Sequence, residues 1–172
     1  MIAAYRSSSS PSPPFSTLSP SDPSSTLIPL PLPVYPIPST ATLLSLLLPG
    51  SITRLDCVVA NAGGTSGFRG VEDTTAGDMR YDFEVNAVGV AELFRVCWPL
   101  MEEEEGAKGG KGVAVKRFVV VGSSVGSIGA LEEESFPAVA YGMSKAAVNW
   151  WARKVGLEFG GRGLAVGVVH PG

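Results

Sequence analysis

No glycine occurs among the first 49 of the 172 residues, and all 21 lie from Gly50 onward. A glycine-rich loop that lets backbone amides close on a phosphate is therefore excluded from that segment. Charge is scarce there as well: residues 1–40 carry only Arg6 and Asp22 among 10 prolines and 11 serines. The chain has one histidine and two cysteines, Cys57 and Cys97, with no C-x-x-C spacing. That excludes a structural zinc site, so no metal is expected. The cysteines read as core thiols in a reducing compartment, which points to the cytoplasm. Long apolar runs are missing too. The longest, residues 41–49, is far too short to span a bilayer, and residues 1–10 lack the apolar stretch of a secretory signal. With a net charge of −3, one acidic run at 102–105 and no basic patch, nothing supplies the footprint of a nucleic-acid binder.

What is present divides at residue 50. Residues 1–50 read as a Pro/Ser-rich, disordered segment, extended where Pro29-Leu30-Pro31-Leu32-Pro33 favours polyproline geometry, with a short helix at 42–48. From residue 51 the pattern alternates. Residues 55–60 are a short run rich in Val, as expected of a strand covered on both faces, 117–121 reads as a second buried strand, and 164–169 as a third strand. Residues 78–103 and 138–159 carry near-helical apolar spacing, and Gly160-Gly161 stops the second helix. Strand–helix–strand–helix–strand predicts an α/β fold with parallel pairing and right-handed crossovers.

The chemistry concentrates on Tyr141-Gly142-Met143-Ser144-Lys145. Positions i and i+4 share a helix face, and a neighbouring ammonium stabilises a phenolate, bringing a tyrosine toward useful proton transfer. Gly122-Ser123-Ser124-Val125-Gly126 follows the 117–121 strand, and Asn61-Ala62-Gly63-Gly64 follows the first. Crevices at the carboxyl ends of parallel strands are where such sheets bind ligands. Asn86, polar within an apolar helix, needs buried partners. Strand ends and helices thus converge on Asn61, Asn86, Ser123, Tyr141 and Lys145.

The combination resembles the short-chain dehydrogenase/reductase family, whose Asn-Ala-Gly, helix Asn, Ser and Tyr-x-x-x-Lys stand here in family order over about residues 51–172. The resemblance implies a Rossmann-like, doubly wound parallel sheet, here incomplete, and carbonyl reduction or alcohol oxidation by hydride transfer. It assigns Tyr141 as acid/base and Lys145 as the group that lowers its pKa and holds the nicotinamide ribose. Ser123 would bind the substrate carbonyl, with Ser124 as the alternative, since the Ser-to-Tyr separation of 18 carries an apparent insertion at 131–135. Asn86 would position a relay water. Asn61, Ala62 and Gly63 would line the adenosine side, and Pro171 and Gly172 the nicotinamide side. The implied cofactor is NADP or NAD, with NADP favoured. The implied partners are a small carbonyl or alcohol substrate and a second copy of the chain through the two long helices. The local context is similar to carbonyl reductases and ketoreductases of the norsolorinic acid ketoreductase type.

Two departures and one rival reading accompany the resemblance. The family's pyrophosphate loop and last strand are absent, so the chain reads as a partial domain of low activity, or as a non-catalytic relative acting by protein association. Gly122-x-Ser124-x-Gly126 also matches a nucleophile elbow, with Glu158 and His170 following in hydrolase order. That elbow requires a helix directly after the serine, and Gly126-Ser127-Ile128-Gly129 is a poor helix start. Gly109-Gly110-Lys111-Gly112 reads as a solvated turn, His170 as structural, and Trp150-Trp151 as packing or subunit contact.

Overall fold

A computed structural model describes residues 2–5, 24, 28–31, 45, 53–102, 115–133 and 136–171. Three strands, β3 (Cys57–Ala60), β4 (Lys116–Val121) and β5 (Leu164–Val169), form a parallel sheet in the order β3-β4-β5. Each is separated from the next by a helical crossover, as the alternating pattern predicts. A separate parallel pair joins β1 (Ile2–Tyr5) to β2 (Ile28–Pro31), in register Ala3↔Pro29 and Tyr5↔Pro31. Pro29 and Pro31 therefore stand in a strand where composition predicts free polyproline. Proline's fixed φ suits either geometry, and in a two-stranded sheet both strands are edges that tolerate a missing donor. The predicted helix at 42–48 lies outside the described residues except for Ser45, as does the turn at 109–112.

The first long helix is three segments in series. α1 (Ala76–Phe83) begins at a capping box in which the Asp78 amide donates to Thr75 Oγ1 and the Thr75 amide donates to the Asp78 carboxylate. That carboxyl is held below its usual range, mainly by the Thr75 backbone bond. A π-helical segment (Glu84–Val88) leads into α2 (Gly89–Met101). The second long helix, α3 (Val139–Phe159), is followed by a 3-10 turn and by Gly163 at φ 85°, a left-handed conformation that favours glycine.

Both helices pack on one sheet face. The row Val58↔Phe118↔Val166 and the row Ala60↔Val120↔Val168 point toward them, with Phe118 and Val120 fully buried. Phe94 of α2 sits at the centre of an aromatic cluster, its ring centroid 5.2 Å from Phe118, 5.6 Å from Trp151 and 5.2 Å from Phe159. Cys97 lies within this core, and burial pushes its thiol up to about 11.

The opposite face corrects the expectation of strands covered on both sides. Cys57 and Val59 on β3, and Val169 on β5, are exposed, because among the described residues no helix crosses that face. Cys57 is thus a surface thiol and not a core one; alternation along the strand turns its side chain away from the helices.

Candidate active site

The carboxyl ends of β3 and β4 and the first two turns of α3 meet at one place. After β4, Ser123 is extended (φ −158°) and caps a single 3-10 turn, Ser124–Gly126. Glycine is required where this turn meets α3. A Cβ on Gly126 would lie 2.7 Å from Lys145 Cβ and 2.8 Å from its backbone carbonyl carbon, and one on Gly142 would lie 2.9 Å from the Val125 oxygen. These two close approaches press the Ser123 loop onto the turn of α3 that carries Tyr141 and Lys145.

Lys145 is 4 % exposed. Its ammonium donates to the Val121 carbonyl at 2.8 Å, at the carboxyl end of β4, and lies 5.5 Å from the centroid of the Tyr141 ring. Burial holds its pKa below the ordinary lysine value. Among the described residues neither the Tyr141 phenol nor the Ser123 hydroxyl has a protein partner, and both side chains are half-buried. Neither hydroxyl is therefore spent on the fold among the described residues, while the cation is fixed on the end of β4.

Asn86 ties the first strand end to α3. Its side-chain oxygen accepts from the Gly64 amide at 3.0 Å, and its Nδ2 donates to the Gly64 carbonyl at 2.8 Å and to Ser144 Oγ at 2.9 Å. The Ser144 hydroxyl in turn donates to the Tyr141 carbonyl at 2.7 Å. Asn86 is fully buried, so the cost of a polar group in an apolar helix is met by these partners. Its side chain is thereby committed to positioning the loop. Gly63 passes close to this tie: a Cβ there would lie 3.1 Å from Asn86 Oδ1 and 3.5 Å from Lys145 Nζ.

Asn61, Ala62 and Gly63 are exposed at the β3 end, and Pro171 is exposed beyond β5, while Gly172 lies outside the described residues. Asp82 is a residue that sequence reasoning missed. Fully buried, its carboxylate accepts from the Ser66 amide at 2.7 Å and from Thr65 Oγ1 at 3.2 Å, fixing the loop after Gly64. Phe68 was missed as well, and its ring lies 6.4 Å from that of Tyr141.

The hydrolase constellation does not assemble. Ser124 opens a single 3-10 turn followed by an extended Ser127, with no α-helix to present a nucleophile. Glu158 is paired with Lys154 at 2.8 Å along α3, and His170 is exposed beyond β5. Among the described residues no group of His, Cys, Asp and Glu is arranged to hold a metal, and no helix is long and apolar enough to cross a membrane.

Comparison with known proteins bears on the family and the fold. L-fucose dehydrogenase of Oryctolagus cuniculus is 29% identical over 119 residues, covering 69% of this chain and 37% of that protein. The norsolorinic acid ketoreductase nor1 of Dothistroma septosporum is 28% identical over 123 residues, covering 71% of this chain and 42% of that protein. The chain thus spans about half the length, or less, of these curated relatives. Among solved structures, the protein named Carbonyl Reductase Sniffer, of Caenorhabditis elegans, superposes with a TM-score of 0.73 at 26% identity, covering 88% of this chain and 66% of that one. Residues 47–172 match the short chain dehydrogenase family, an α/β family of oxidoreductases, and the chain belongs to it.

Proposed function

We propose that this site reduces a carbonyl, or oxidises the corresponding alcohol, with a nicotinamide dinucleotide as hydride carrier. The observation that carries the reading is the buried Lys145 ammonium, fixed on the Val121 carbonyl and 5.5 Å from the Tyr141 ring, beside two hydroxyls left unpartnered among the described residues. When bound, NADP(H) or NAD(H) supplies or receives the hydride at the substrate carbon.

The residues of the chain supply the rest. In reduction, the Tyr141 phenol gives its proton to the carbonyl oxygen as negative charge develops there, and the Ser123 hydroxyl donates to the same oxygen. The phenolate left behind is stabilised by the charge of the buried Lys145, and it is reprotonated from solvent. Oxidation runs these transfers in reverse. Asn86 acts as a positioning residue: it clamps Gly64 to Ser144, and Ser144 to the Tyr141 carbonyl. The residues fit the ribose–nicotinamide end of such a cofactor. Lys145 uses one of its donors on Val121, Asn61, Ala62 and Gly63, open at the β3 end, would line the adenosine side, and Pro171, exposed beyond β5, would stand on the nicotinamide side. NADP is taken ahead of NAD, in a reducing, cytoplasmic setting. The outward Trp150 of α3, 69 % exposed, supports pairing of two copies through the long helices.

A second reading is favoured by one observation. Residues 1–49 contain no glycine to cradle a pyrophosphate, which suits a relative that acts by association without turnover. One experiment separates the two. NADPH fluorescence titration and ketone reduction are measured on the full chain and on Tyr141→Phe. The reductase reading expects saturable binding in both proteins and a loss of at least about a hundredfold in turnover in the variant, the range of general acid catalysis. No binding, or turnover unaffected by the substitution, rejects it.

A further inference from the structure

Next to Tyr141 the surface carries two large apolar rings that the core does not use. Phe68, in the loop after β3, is 54 % exposed, and Phe136, just before α3, is 53 % exposed. Their ring centroids are 4.7 Å apart at 61°, and Phe68 meets the Tyr141 ring edge-on at 6.4 Å and 81°. Leaving about half of two phenyl rings in water costs hydrophobic stabilisation that an apolar occupant would recover, and the rings stand beside the ring of Tyr141.

The loop that carries Phe68 is rigidly held. Asp82 accepts from the Ser66 amide and from the Thr65 hydroxyl. Arg69 pairs with Asp78 at 2.8 Å, and the Val139 amide, at the start of α3, donates to the Arg69 carbonyl at 3.2 Å. Phe68 is therefore presented from a pinned backbone, the condition under which an aromatic contact selects shape instead of adapting to it. The same bonds decide the charge of the occupant. Arg69, the cation of this loop, is committed to Asp78 and to the Ser66 carbonyl, so the clamp has no use for it in binding a carboxylate.

We propose that Phe68 and Phe136 form an aromatic clamp beside Tyr141 that selects a neutral, planar aryl ketone, or the matching benzylic alcohol, over an aliphatic one. The clamp places the carbonyl at the phenol while its rings meet the substrate ring edge-to-face or offset, geometries that add to simple area burial. The inference rests on the assignment of Tyr141 as acid/base, and its test is read by binding, so that the two stand or fall separately.

Dissociation constants of 2-acetylnaphthalene and of 2-nonanone, both largely apolar ketones, are measured by saturation-transfer NMR on the full chain, with and without NADPH. Phe68→Leu and Phe136→Leu keep apolar volume but remove the ring. Because both positions are more than half exposed, the fold is expected to persist, and circular dichroism checks it. The clamp expects the aryl ketone to bind about three- to tenfold tighter than the aliphatic one. Each leucine variant should erase most of that preference, and Tyr141→Phe should keep it while losing turnover. Equal affinities, no binding of either ketone, or leucine variants that retain the preference and lose only thermal stability would overturn the clamp. Turnover that survives Tyr141→Phe would instead overturn the acid/base assignment, with the ring preference still deciding the clamp.

Discussion

Lys145 answers two opposed demands, since a charge that must act on a phenol has to be close and poorly screened, and both conditions penalise its own ionisation. Its pKa is lowered by burial, while the Val121 carbonyl at 2.8 Å supplies one partner. The consequence for stability has a definite sign. A lysine whose folded pKa lies below 10.5 binds fewer protons in the folded state than in the unfolded state across that window, so stability rises with pH there. Lys145→Met, which keeps the stem and removes the charge, is expected to be more resistant to urea than the parent at neutral pH, and the gap should close as pH approaches 10.5. Urea titrations of both proteins between neutral pH and 10.5 check this, and a gap that stays constant would show that desolvation is not the governing cause. The i,i+4 spacing of Tyr141 and Lys145 is legible in the sequence because a helix face is periodic. Asp82 is not, since an acidic residue in a helix ordinarily faces solvent, and only the fold reveals that its partners are the Ser66 amide and the Thr65 hydroxyl.

At the scale of elements, the join between α1 and α2 carries the information that periodicity hides. Apolar spacing over 78–103 predicts one helix, and the chain does run without a break, but Glu84–Val88 is wound as a π-helix. An extra residue in one turn shifts the register of everything after it, a feature frequent at functional sites. Here the turn contains the buried Asn86, whose side chain reaches both Gly64 and Ser144. Asn86→Ala should cost about 1–3 kcal/mol in urea denaturation, because it leaves the Gly64 amide, the Gly64 carbonyl and the Ser144 hydroxyl short of partners in a dry site. Asn86→Asp should cost at least as much, since a carboxylate oxygen would then face the Gly64 carbonyl that the amide group satisfies. An aspartate variant as stable as the parent would sink the assignment of donors and acceptors. The strands β3, β4 and β5, in contrast, lie within two residues of the predicted runs, since Val-rich runs bounded by glycine or charge leave little choice of state, whereas β1 and β2 fall in a segment whose composition predicts no strand. What their composition does not tell is which face is covered. The apolar stretch 57–60 is compatible with two covered faces, whereas Cys57 and Val59 are exposed.

Across the whole molecule, the aromatic cluster makes the two helices and the sheet one cooperative unit. Phe94 on α2 touches Phe118 on β4, and Trp151 and Phe159 on α3, while Trp98 and Phe159 flank the Arg162 guanidinium at 4.8 Å each. The two cysteines sit on opposite sides of this unit, so they report on it differently. Cys57 is exposed on the helix-free face, and Cys97 is buried in the cluster with its thiol raised to about 11. A thiolate is the reacting species, so Cys97 is protected twice, by exclusion of reagent and by its protonation. Under native conditions iodoacetamide should therefore modify Cys57 promptly and reach Cys97 only through opening of the core. Phe94→Ala should lower stability by about 3–5 kcal/mol, because it removes a ring shared by three elements and leaves a cavity. At about 1.4 kcal/mol per tenfold in population, Cys97 labelling should then accelerate by more than about a hundredfold while the Cys57 rate stays unchanged. Mass spectrometry of the two cysteine peptides over a time course measures both rates in one sample. If Phe94→Ala changed the two rates equally, or if both thiols reacted together in the parent, the helices and the sheet would not share the single core described here.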